Sequence, residues 1–491
     1  MRRTALPPAA AAVAAVASSL LFVAPASADT LDAAGAGVLD DTVFMNTMWV
    51  IVSALVVLLM LAGLLCLEAG MSRMKNVGTL VPKALVSMGV AGICYYACGF
   101  AFAFGNGDII GSKGFFLMDY GDPQEAFGIM GLSNALIESK WLFQFAFCAV
   151  TLGIAWGATL ERIKFSAHIL FAIPFTAFIY PLVSHWVFGG GWLQMNVGMQ
   201  DFAGSTAVHL VGATASLAAL LALGPRTGKY GPDGRPRAIP GHSMLILGLG
   251  MFILLFGWFG FNAGSTLNVT DGRFAEICMV TALGACGGIL GAYAMTSLLQ
   301  KTVDIGMVCN GLIAGLVAIT APSGYVENWA APLIGLGGGF LVVPAILLID
   351  KKLDDPVGVL SAHGLAGVWG TLACGIFTAP RLAEYNGVGS PGLVYSGSFG
   401  QIGDQALGIV VAFATVFALS FSVFMIIKKT VGLRVSEAEE LSGLDIAEHG
   451  MYGYPEQFIP DVEMPGLAGD PKSISLGGAA SPAGAAGAAP A

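Results

Sequence analysis

Apolar runs recur along most of this chain, from Phe44 to Ile427, and most of them approach the ~20 residues that an α-helix needs to cross a lipid bilayer. Only 11% of the residues are charged, whereas a soluble domain carries about 25%. So few charges cannot cover a surface exposed to water, which excludes an ordinary soluble protein. Because a chain in lipid must satisfy its own backbone hydrogen bonds, we expect an all-α polytopic membrane protein with one helical bundle.

Glycine, proline and charged residues divide the apolar part into eleven predicted transmembrane helices. The predicted spans are 44–67, 80–104, 141–160, 165–183, 203–223, 242–262, 274–299, 303–320, 330–350, 358–378 and 405–427. With the N-terminus outside, fifteen Lys and Arg residues fall on the cytoplasmic side and four on the outer side. This asymmetry follows the positive-inside rule. It predicts a multi-pass protein of the cell (inner) membrane, with its mature N-terminus outside and its C-terminus in the cytoplasm.

The two ends of the chain differ from the apolar part. Residues 1–28 combine two Arg, an apolar stretch and a small-residue ASA site, the pattern of a secretory signal peptide cleaved after Ala28. Residues 29–430 form the predicted eleven-helix domain, and residues 431–465 a polar, acidic cytoplasmic tail. The low-complexity residues 466–491 are expected to be disordered.

Two histidines lie well inside apolar segments, His209 in DFAGSTAVHLVGA and His363 in DPVGVLSAHGLAGVWG. Each follows an aspartate, Asp201 or Asp355, by eight residues. The two segments are five predicted helices apart, which indicates two inverted five-helix repeats followed by a final helix. The aspartates would then lie on opposite sides of the membrane, and the histidines would approach its midplane from opposite ends.

An ionisable side chain inside a membrane is costly, and by default it indicates a function. A single histidine could equally well be satisfied by a neighbouring helix, but two at matching positions favour a function. Neutral imidazole both donates and accepts a hydrogen bond, so two rings in contact can line a dry path for a small neutral molecule. Two histidines without a third ligand make a poor zinc site. We therefore expect no metal, no cofactor and no enzymatic activity.

A second cluster combines aromatic rings with short polar groups. The segment WFGFNAGSTL contains Trp258, Phe261, Asn262 and Ser265, and the segment WLFQFAFC contains Phe147. Tryptophan is common at membrane interfaces, which explains Trp258 but not the polar residues that interrupt the same run. The cluster is a candidate binding site near the outer end of the sixth span.

Five segments, in the expected order, strongly resemble the ammonium transporter, methylammonium permease and Rhesus protein family, and in particular its ammonium transporter branch. They are DFAGSTAVHLVGA, GWFGFNAGS, GATLERIKFSA, SAHGLAGVWGTL and GLRVSEAEELSGLDIAEHG. The resemblance extends from about Asn46 to Pro455. It implies a homotrimer with one pore through each protomer, and uptake of ammonium or methylammonium for nitrogen utilisation.

The resemblance also implies roles for individual residues. Phe147 and Phe261 correspond to a phenylalanine gate, and His209 and His363 to the twin histidines that line the pore. The residues implied in ammonium recruitment are Phe188, Phe147, Ser265, Asp201 and Trp258. Within that set, Asp201 corresponds to a buried carboxylate with a structural and electrostatic role, and Trp258 to an aromatic residue of the pore wall.

One position departs from the family pattern. The segment HWVFGGGW has Phe188 where the family usually has the recruitment tryptophan. Tryptophan is the best cation–π partner and phenylalanine a weaker one. Either Trp186 or Trp192 takes over this role, or the outer site binds ammonium loosely.

The predicted function is ammonium uptake: external ammonium is recruited at an aromatic vestibule and deprotonated, and ammonia then passes a hydrophobic twin-histidine pore. The tail resembles the family's cytoplasmic segment, which implies a PII signalling protein as partner. The alternatives are a Rhesus-type passive ammonia channel and an ammonium sensor. Asp201, Ser265 and the tail favour a transporter over the channel, whereas Phe188 slightly favours the channel. The tail is too short for a fused kinase or cyclase, which argues against a sensor.

Overall fold

The computed structural model describes residues 39–118, 120–130 and 134–458. In these ranges the regular elements are helices, and β-structure is limited to two isolated bridges. The predicted all-α fold is therefore confirmed for this part of the chain. The predicted signal peptide, 1–28, and the low-complexity end, 466–491, lie outside the described residues.

Helices follow the predicted spans in order. They are α1 (Asp41–Met71), α2 (Met74–Phe104), α3 (Ile137–Gly157), α4 (Phe165–Val197), α5 (Ser205–Leu223), α6 (Met244–Gly264), α7 (Arg273–Gln300), α8 (Ile305–Thr320), α9 (Ala330–Ile349), α10 (Leu360–Phe377) and α11 (Gly400–Thr430). Within the described ranges, ten are long and apolar enough to cross a membrane, whereas α8 has only 16 residues. A short turn at Pro322–Gly324 follows α8, where proline lacks the N–H that a continuing helix needs.

Several helices extend beyond the apolar residues that predicted them. The first span was predicted at 44–67, but α1 begins at Asp41 because the side chain of Asp40 accepts a hydrogen bond from the Thr42 N–H at 2.7 Å. Such a cap satisfies an N–H group that the helix itself leaves unpaired. Hydropathy marks the apolar part of a helix, whereas caps mark its ends.

The helices pack as an interlocked bundle. Helix α1 lies along α6, α7 lies along α8 and α9, and α5 packs against α3 and α11. Glycines permit the closest approaches: a Cβ added to Gly250 would lie 2.7 Å from the carbonyl oxygen of Gly63, and one added to Gly288 would lie 2.5 Å from the Cα of Gly315. Small residues at helix contacts are typical of membrane bundles, where close packing drives association.

Residues 431–458 fold back against one end of the bundle, which we call the tail face. The Lys164 N–H donates to the carbonyl of Leu433 at 3.1 Å. The Asp445 carboxylate accepts from the Thr79 N–H at 2.9 Å. These bonds attach the tail segment to the start of α2 and to the connection between α3 and α4.

A buried ion network lies beneath the tail segment. Nη2 of Arg226 lies 2.8 Å from Oδ1 of Asp354, and its Nη1 lies 3.3 Å from Oε2 of Glu161. Burial alone would raise the pKa of Asp354, but the hydrogen bonds and charge of Arg226, with the charge of Arg162, lower it to about 2. Asp354 is therefore ionised at neutral pH. The network joins the connections α3–α4, α5–α6 and α9–α10.

Candidate functional site

A cavity of about 200 Å³ opens at the end of α6 that is remote from the tail face, and we call it the vestibule cavity. Helix α6 begins at the tail face, where Nε2 of His242 lies 3.1 Å from the Tyr454 hydroxyl, and it runs to Gly264. Aromatic and short polar side chains dominate the cavity wall. The lining residues are Met130, Gln144, Phe147, Phe188, Gln194, Asp201, Phe202, Ser265, Leu267, Tyr325, Asn386 and Val388.

Hydrogen-bond acceptors are available in this wall. The Ser265 hydroxyl donates to the carbonyl of Phe261 at 2.8 Å, which leaves its oxygen lone pairs free to accept. Oε1 of Gln144 is buried and has no hydrogen-bond partner within the described ranges. Together with the ring of Phe188, these groups suit a small cation that carries N–H donors.

Asp201 is the one charged side chain among the described lining residues. Its two carboxylate oxygens accept from the four backbone N–H groups of residues 204–207 at 2.7 to 3.0 Å. A carboxylate so occupied holds the start of α5 and contributes a negative field, and it has little capacity left for direct ligation.

Phe147 from α3 and Phe261 from α6 form a stacked pair at the floor of the vestibule cavity. Their ring centroids are 3.9 Å apart and their planes differ by 11°. Phe147 is 1% exposed and Phe261 is fully buried. The pair therefore separates the vestibule cavity from the residues behind it.

Trp258 lies behind the stacked pair, and it is not among the lining residues of the vestibule cavity. The roles that the resemblance implies for Trp258, in recruitment and in the pore wall, stay predictions. Its indole stacks on His209, with centroids 5.0 Å apart, and Nε1 donates to Oγ1 of Thr320 at 2.9 Å. Trp258 precedes Ser265 by seven residues, which places it about 10 Å deeper along a helix of 1.5 Å rise.

Neither tryptophan near Phe188 replaces it in the described wall. Nε1 of Trp186 donates to the carbonyl of Ile109 at 2.7 Å, and the ring of Trp192 packs edge-on against Trp186 at 6.0 Å. The aromatic ring presented to the vestibule cavity at this position is thus that of Phe188.

His209 on α5 and His363 on α10 contact each other inside the bundle. Their Nδ1 atoms are 3.2 Å apart, and the ring planes differ by 26°. One Nδ1 must carry a proton and the other must accept it, so a neutral pair contains two different tautomers. Nε2 of His209 is buried and has no partner among the described residues. That nitrogen can bind one small molecule that passes Phe261, whose ring centroid lies 5.6 Å from that of His209.

Each histidine lies in a wide helical turn whose start is held by an aspartate. The turns are Ser205–Leu210 and Leu360–Leu365. Asp201 holds the first. Asp355 accepts from the N–H of Gly358, just before the second turn, at 3.1 Å and from the N–H of Leu360, its first residue, at 2.8 Å. A glycine with positive φ precedes each turn, a conformation that glycine adopts without a steric penalty. Wide turns of this kind are frequent at functional sites because they re-aim side chains.

A second cavity, of about 20 Å³, lies on the far side of His363, and we call it the tail-side cavity. Its wall is mostly apolar, with Leu64, Ile313 and Val357 among its members. Three polar residues reach it: His363, Glu68 and Asn310. Its volume is close to the roughly 10–15 Å³ that one water molecule requires.

Sequence reasoning misses part of this site. Tyr325, Asn386 and Val388 belong to the connections α8–α9 and α10–α11, where no periodic pattern indicates which side chains face a cavity. The one local signal is the short helix Pro380–Asn386, whose proline at its first position is typical of a helix start. The sequence gives no signal for Glu68, because a charged residue near the end of an apolar run usually marks the end of a transmembrane span.

The fold and the site define a class: polytopic membrane proteins with a stacked phenylalanine pair over a buried histidine pair. The profile of the Ammonium Transporter Family matches residues 48–454. The chain belongs to the ammonium transporter family, and the predicted membership is confirmed.

Similar proteins and solved structures support membership of this family. "Ammonium transporter Amt2" of Archaeoglobus fulgidus is 40% identical over 463 residues, which cover 91% of this chain and 96% of that protein. "Ammonium transporter Amt1" of Haloferax mediterranei is 36% identical over 433 residues, covering 84% of this chain and 80% of the relative. A structure named "Sensor Amt Protein" is 35% identical with a TM-score of 0.76 and covers 83% of this chain and 99% of its own. Mep2 of Candida albicans is 28% identical with a TM-score of 0.73, covering 81% and 87%.

Proposed function

We propose that this protein takes up ammonium across the cell (inner) membrane and conducts its nitrogen as ammonia. One observation carries the proposal: the stacked rings of Phe147 and Phe261 lie between a cavity with free acceptors and the contacting imidazoles of His209 and His363. The names of the relatives support ammonium as the substrate.

Recruitment takes place in the vestibule cavity. Ammonium has four N–H donors, and the free lone pairs of Ser265 and the unpartnered Oε1 of Gln144 can accept from them. The faces of Phe147 and Phe188 attract the cation, and the field of Asp201 adds to this attraction. Because phenylalanine is a weaker cation–π partner than tryptophan, the affinity at this position is lower than a tryptophan would give.

Selection follows from the loss of a proton. Ammonium and potassium are similar in size and equal in charge, so a sieve cannot separate them. Ammonium can release a proton near the gate and continue as neutral ammonia, whereas potassium has no proton to release. A bare charge at the centre of a bilayer costs about 2.5 kcal/mol or more, so a dry path passes ammonia and rejects potassium.

The histidine pair lines the dry path. Ammonia, like imidazole, both donates and accepts, and Nε2 of His209 supplies one unpaired ring nitrogen behind the gate. The contact between the two Nδ1 atoms also allows a proton to pass from one ring to the other. Ammonia takes up a proton again on the side of the tail face.

The proposal includes orientation, assembly and regulation. The charge asymmetry of the loops supports a cytoplasmic tail face and an external vestibule cavity. Exposed apolar side chains on α6, such as Leu245 and Phe252, suit lipid or a neighbouring protomer of a homotrimer. The ordered contacts of residues 431–458 with the loops support a docking site for a PII signalling protein at the tail face.

Uptake of radiolabelled methylammonium by proteoliposomes tests the proposal. We expect uptake above that of protein-free liposomes, competition by unlabelled ammonium, and no competition by an equal concentration of potassium. Uptake equal to that of protein-free liposomes would overturn the proposal.

Ammonium sensing is a second candidate function, because the structure named "Sensor Amt Protein" matches 83% of this chain at 35% identity. A sensor binds ammonium without useful flux. Saturable ammonium-dependent stabilisation of the purified protein, combined with no methylammonium uptake, would favour sensing over transport.

A further inference from the structure

A buried carboxylate that the recruitment and gating steps do not use faces the tail-side cavity. Glu68, near the end of α1, is 3% exposed and shares the cavity wall with His363 and Asn310. Burying a carboxylate is costly unless a partner compensates it. Lys83 on α2, which is 5% exposed, is a buried cation whose charge acts on Glu68, although no direct ion pair joins the two among the described residues.

Packing alone does not explain this pair. Nζ of Lys83 contacts the carbonyl of Trp156 at 3.5 Å and Oγ1 of Thr159 at 3.4 Å, so the lysine has partners of its own. The Trp156 side chain also hydrogen-bonds to Glu68. A buried charge is a weak source of stability, because apolar residues of similar volume commonly replace even a paired one without loss. A carboxylate at this place therefore indicates a chemical role.

The Glu68 carboxylate lies close to the residues that lead into the His363 turn. A Cβ added to Gly157 would lie 3.6 Å from Oε1 of Glu68 and 3.3 Å from Cγ2 of both Val357 and Val359. The absent side chain at Gly157 thus leaves room where the carboxylate approaches the residues that lead into the His363 turn.

We propose that Glu68 is the proton-transfer residue at the inner end of the path, and that it protonates a single ammonia molecule held in the tail-side cavity. This rests on the proposed ammonia conduction and deepens it. The volume of about 20 Å³ accommodates one molecule of this size. Oδ1 of Asn310 is buried and has no partner among the described residues, so it can accept an N–H bond from the ammonium that forms.

The step balances in protons and charge. The O–H bond of the Glu68 carboxyl breaks, its proton bonds to the lone pair of ammonia, and the products are ammonium and a carboxylate. Lys83 compensates the carboxylate while ammonium leaves for the cytoplasm. The proton that ammonium released at the vestibule cavity, passed on through His209 and His363, then restores the carboxyl. One positive charge crosses the membrane for each nitrogen atom.

Two measurements on proteoliposomes of the full chain test this step. An ammonium pulse on a supported membrane measures the transported charge. Uptake of radiolabelled methylammonium measures nitrogen entry, called ammonia entry below, whether or not a proton accompanies it. For Glu68→Gln we expect the current to fall at least tenfold while ammonia entry stays within about twofold of wild type. Glu68→Asp, which keeps a carboxylate, should retain a measurable part of the current.

Two further variants separate the proton-transfer role from folding. Glu437→Gln removes an exposed carboxylate of the tail segment that lines neither cavity, and it should leave both signals unchanged. Because Glu68→Gln leaves Lys83 uncompensated, the double variant Glu68→Gln/Lys83→Gln removes both buried charges. It should show the same loss of current with ammonia entry preserved.

The outcomes distinguish proton transfer by Glu68 from the proposed ammonia conduction on which it rests. An unchanged current in Glu68→Gln, or an equal loss of current and ammonia entry in both the single and the double variant, would overturn the role of Glu68. Wild-type ammonia entry without any current would overturn the proton-transfer step and leave ammonia conduction standing. A wild-type protein with neither signal would overturn the proposed function and this step with it.

Discussion

The Nδ1 atoms of His209 and His363 lie 3.2 Å apart, although 154 positions separate the two residues in the chain. Trp258 stacks on the first ring, and the stacked pair Phe147 and Phe261 lies between it and the vestibule cavity. Neutral aromatic and imidazole rings thus line the interior of an apolar bundle, where the free-energy cost of placing a bare cation is highest.

Replacing either histidine should change conduction without preventing assembly. His209→Ala and His363→Ala each remove one half of the Nδ1 contact and leave the other ring without its partner. We expect the ammonium-induced current to fall about tenfold or more, or potassium to become permeant, while the size-exclusion profile stays that of wild type.

The matched control for the histidine variants is His168→Gln, since His168 is equally buried but bonds to Ser87 at 2.7 Å, away from the pair. Normal ammonium-selective flux in both His209→Ala and His363→Ala would remove the histidines from the mechanism.

Opening the phenylalanine pair should relax selectivity. Phe261→Ala removes one of two rings whose centroids are 3.9 Å apart, so larger amines should reach His209 more easily. We expect the ratio of methylammonium to ammonium flux to rise several-fold. Phe424→Ala is the control because it breaks a similar stack with Phe171, at 4.0 Å, elsewhere in the bundle. An unchanged ratio in Phe261→Ala would contradict a gating role.

A single substitution should increase the affinity of the vestibule cavity for its cation. Phe188→Trp introduces a better cation–π partner in the cavity wall. The apparent half-saturation concentration for methylammonium uptake should fall several-fold with little change in maximal rate. An unchanged half-saturation would show that another side chain already fulfils this role.

The two aspartates that hold the histidine turns should differ in their effect on stability. In Asp201→Asn the amide nitrogen cannot accept from two of the four N–H groups, so we expect a loss of about 3 kcal/mol, because bonds to a charged group contribute about 1.5–3 kcal/mol each. Asp355→Asn loses one of two such bonds and should cost about half as much. Thermal unfolding in detergent measures both. Equal stability of Asp201→Asn and wild type, with lost recruitment, would instead indicate direct ligation.

The contribution of the ion network at the tail face to the free energy of unfolding should persist at mildly acidic pH. Asp354 has a pKa of about 2, below the ordinary aspartate value of 3.8, so its contribution to stability is complete above about pH 4 and is lost only as the pH falls toward 2. Asp354→Asn leaves Arg226 without its closest partner and should cost roughly 3 kcal/mol. The stability difference between wild type and variant should stay constant from pH 8 to pH 5. A difference that disappears between pH 7 and pH 5 would contradict this assignment.

Much of the fold follows from the sequence because lipid imposes a length and a polarity on every span. The apolar runs placed the helices, and the matching Asp–His spacings in α5 and α10 singled out two histidines that contact each other in the folded chain. Local pattern sufficed here because an aspartate cap and a following helical turn are determined by near neighbours.

Other features depend on tertiary packing and are not readable in the sequence. The depth of Trp258 follows from which turn of α6 reaches the cavity floor. The contribution of Asn386 to the cavity wall depends on how a long connection folds. The place of Glu68 in the same cavity wall as His363 depends on how α1 packs, and in the sequence a lone charge near the end of an apolar run resembles a span boundary.

The central claim is that the path is too dry for a bare cation and passes nitrogen only after ammonium has lost a proton. Proteoliposomes given equal pulses of ammonium and potassium on a supported membrane test it most directly. We expect a response to ammonium and none to potassium above that of protein-free membranes. A potassium current comparable to that of ammonium would contradict it.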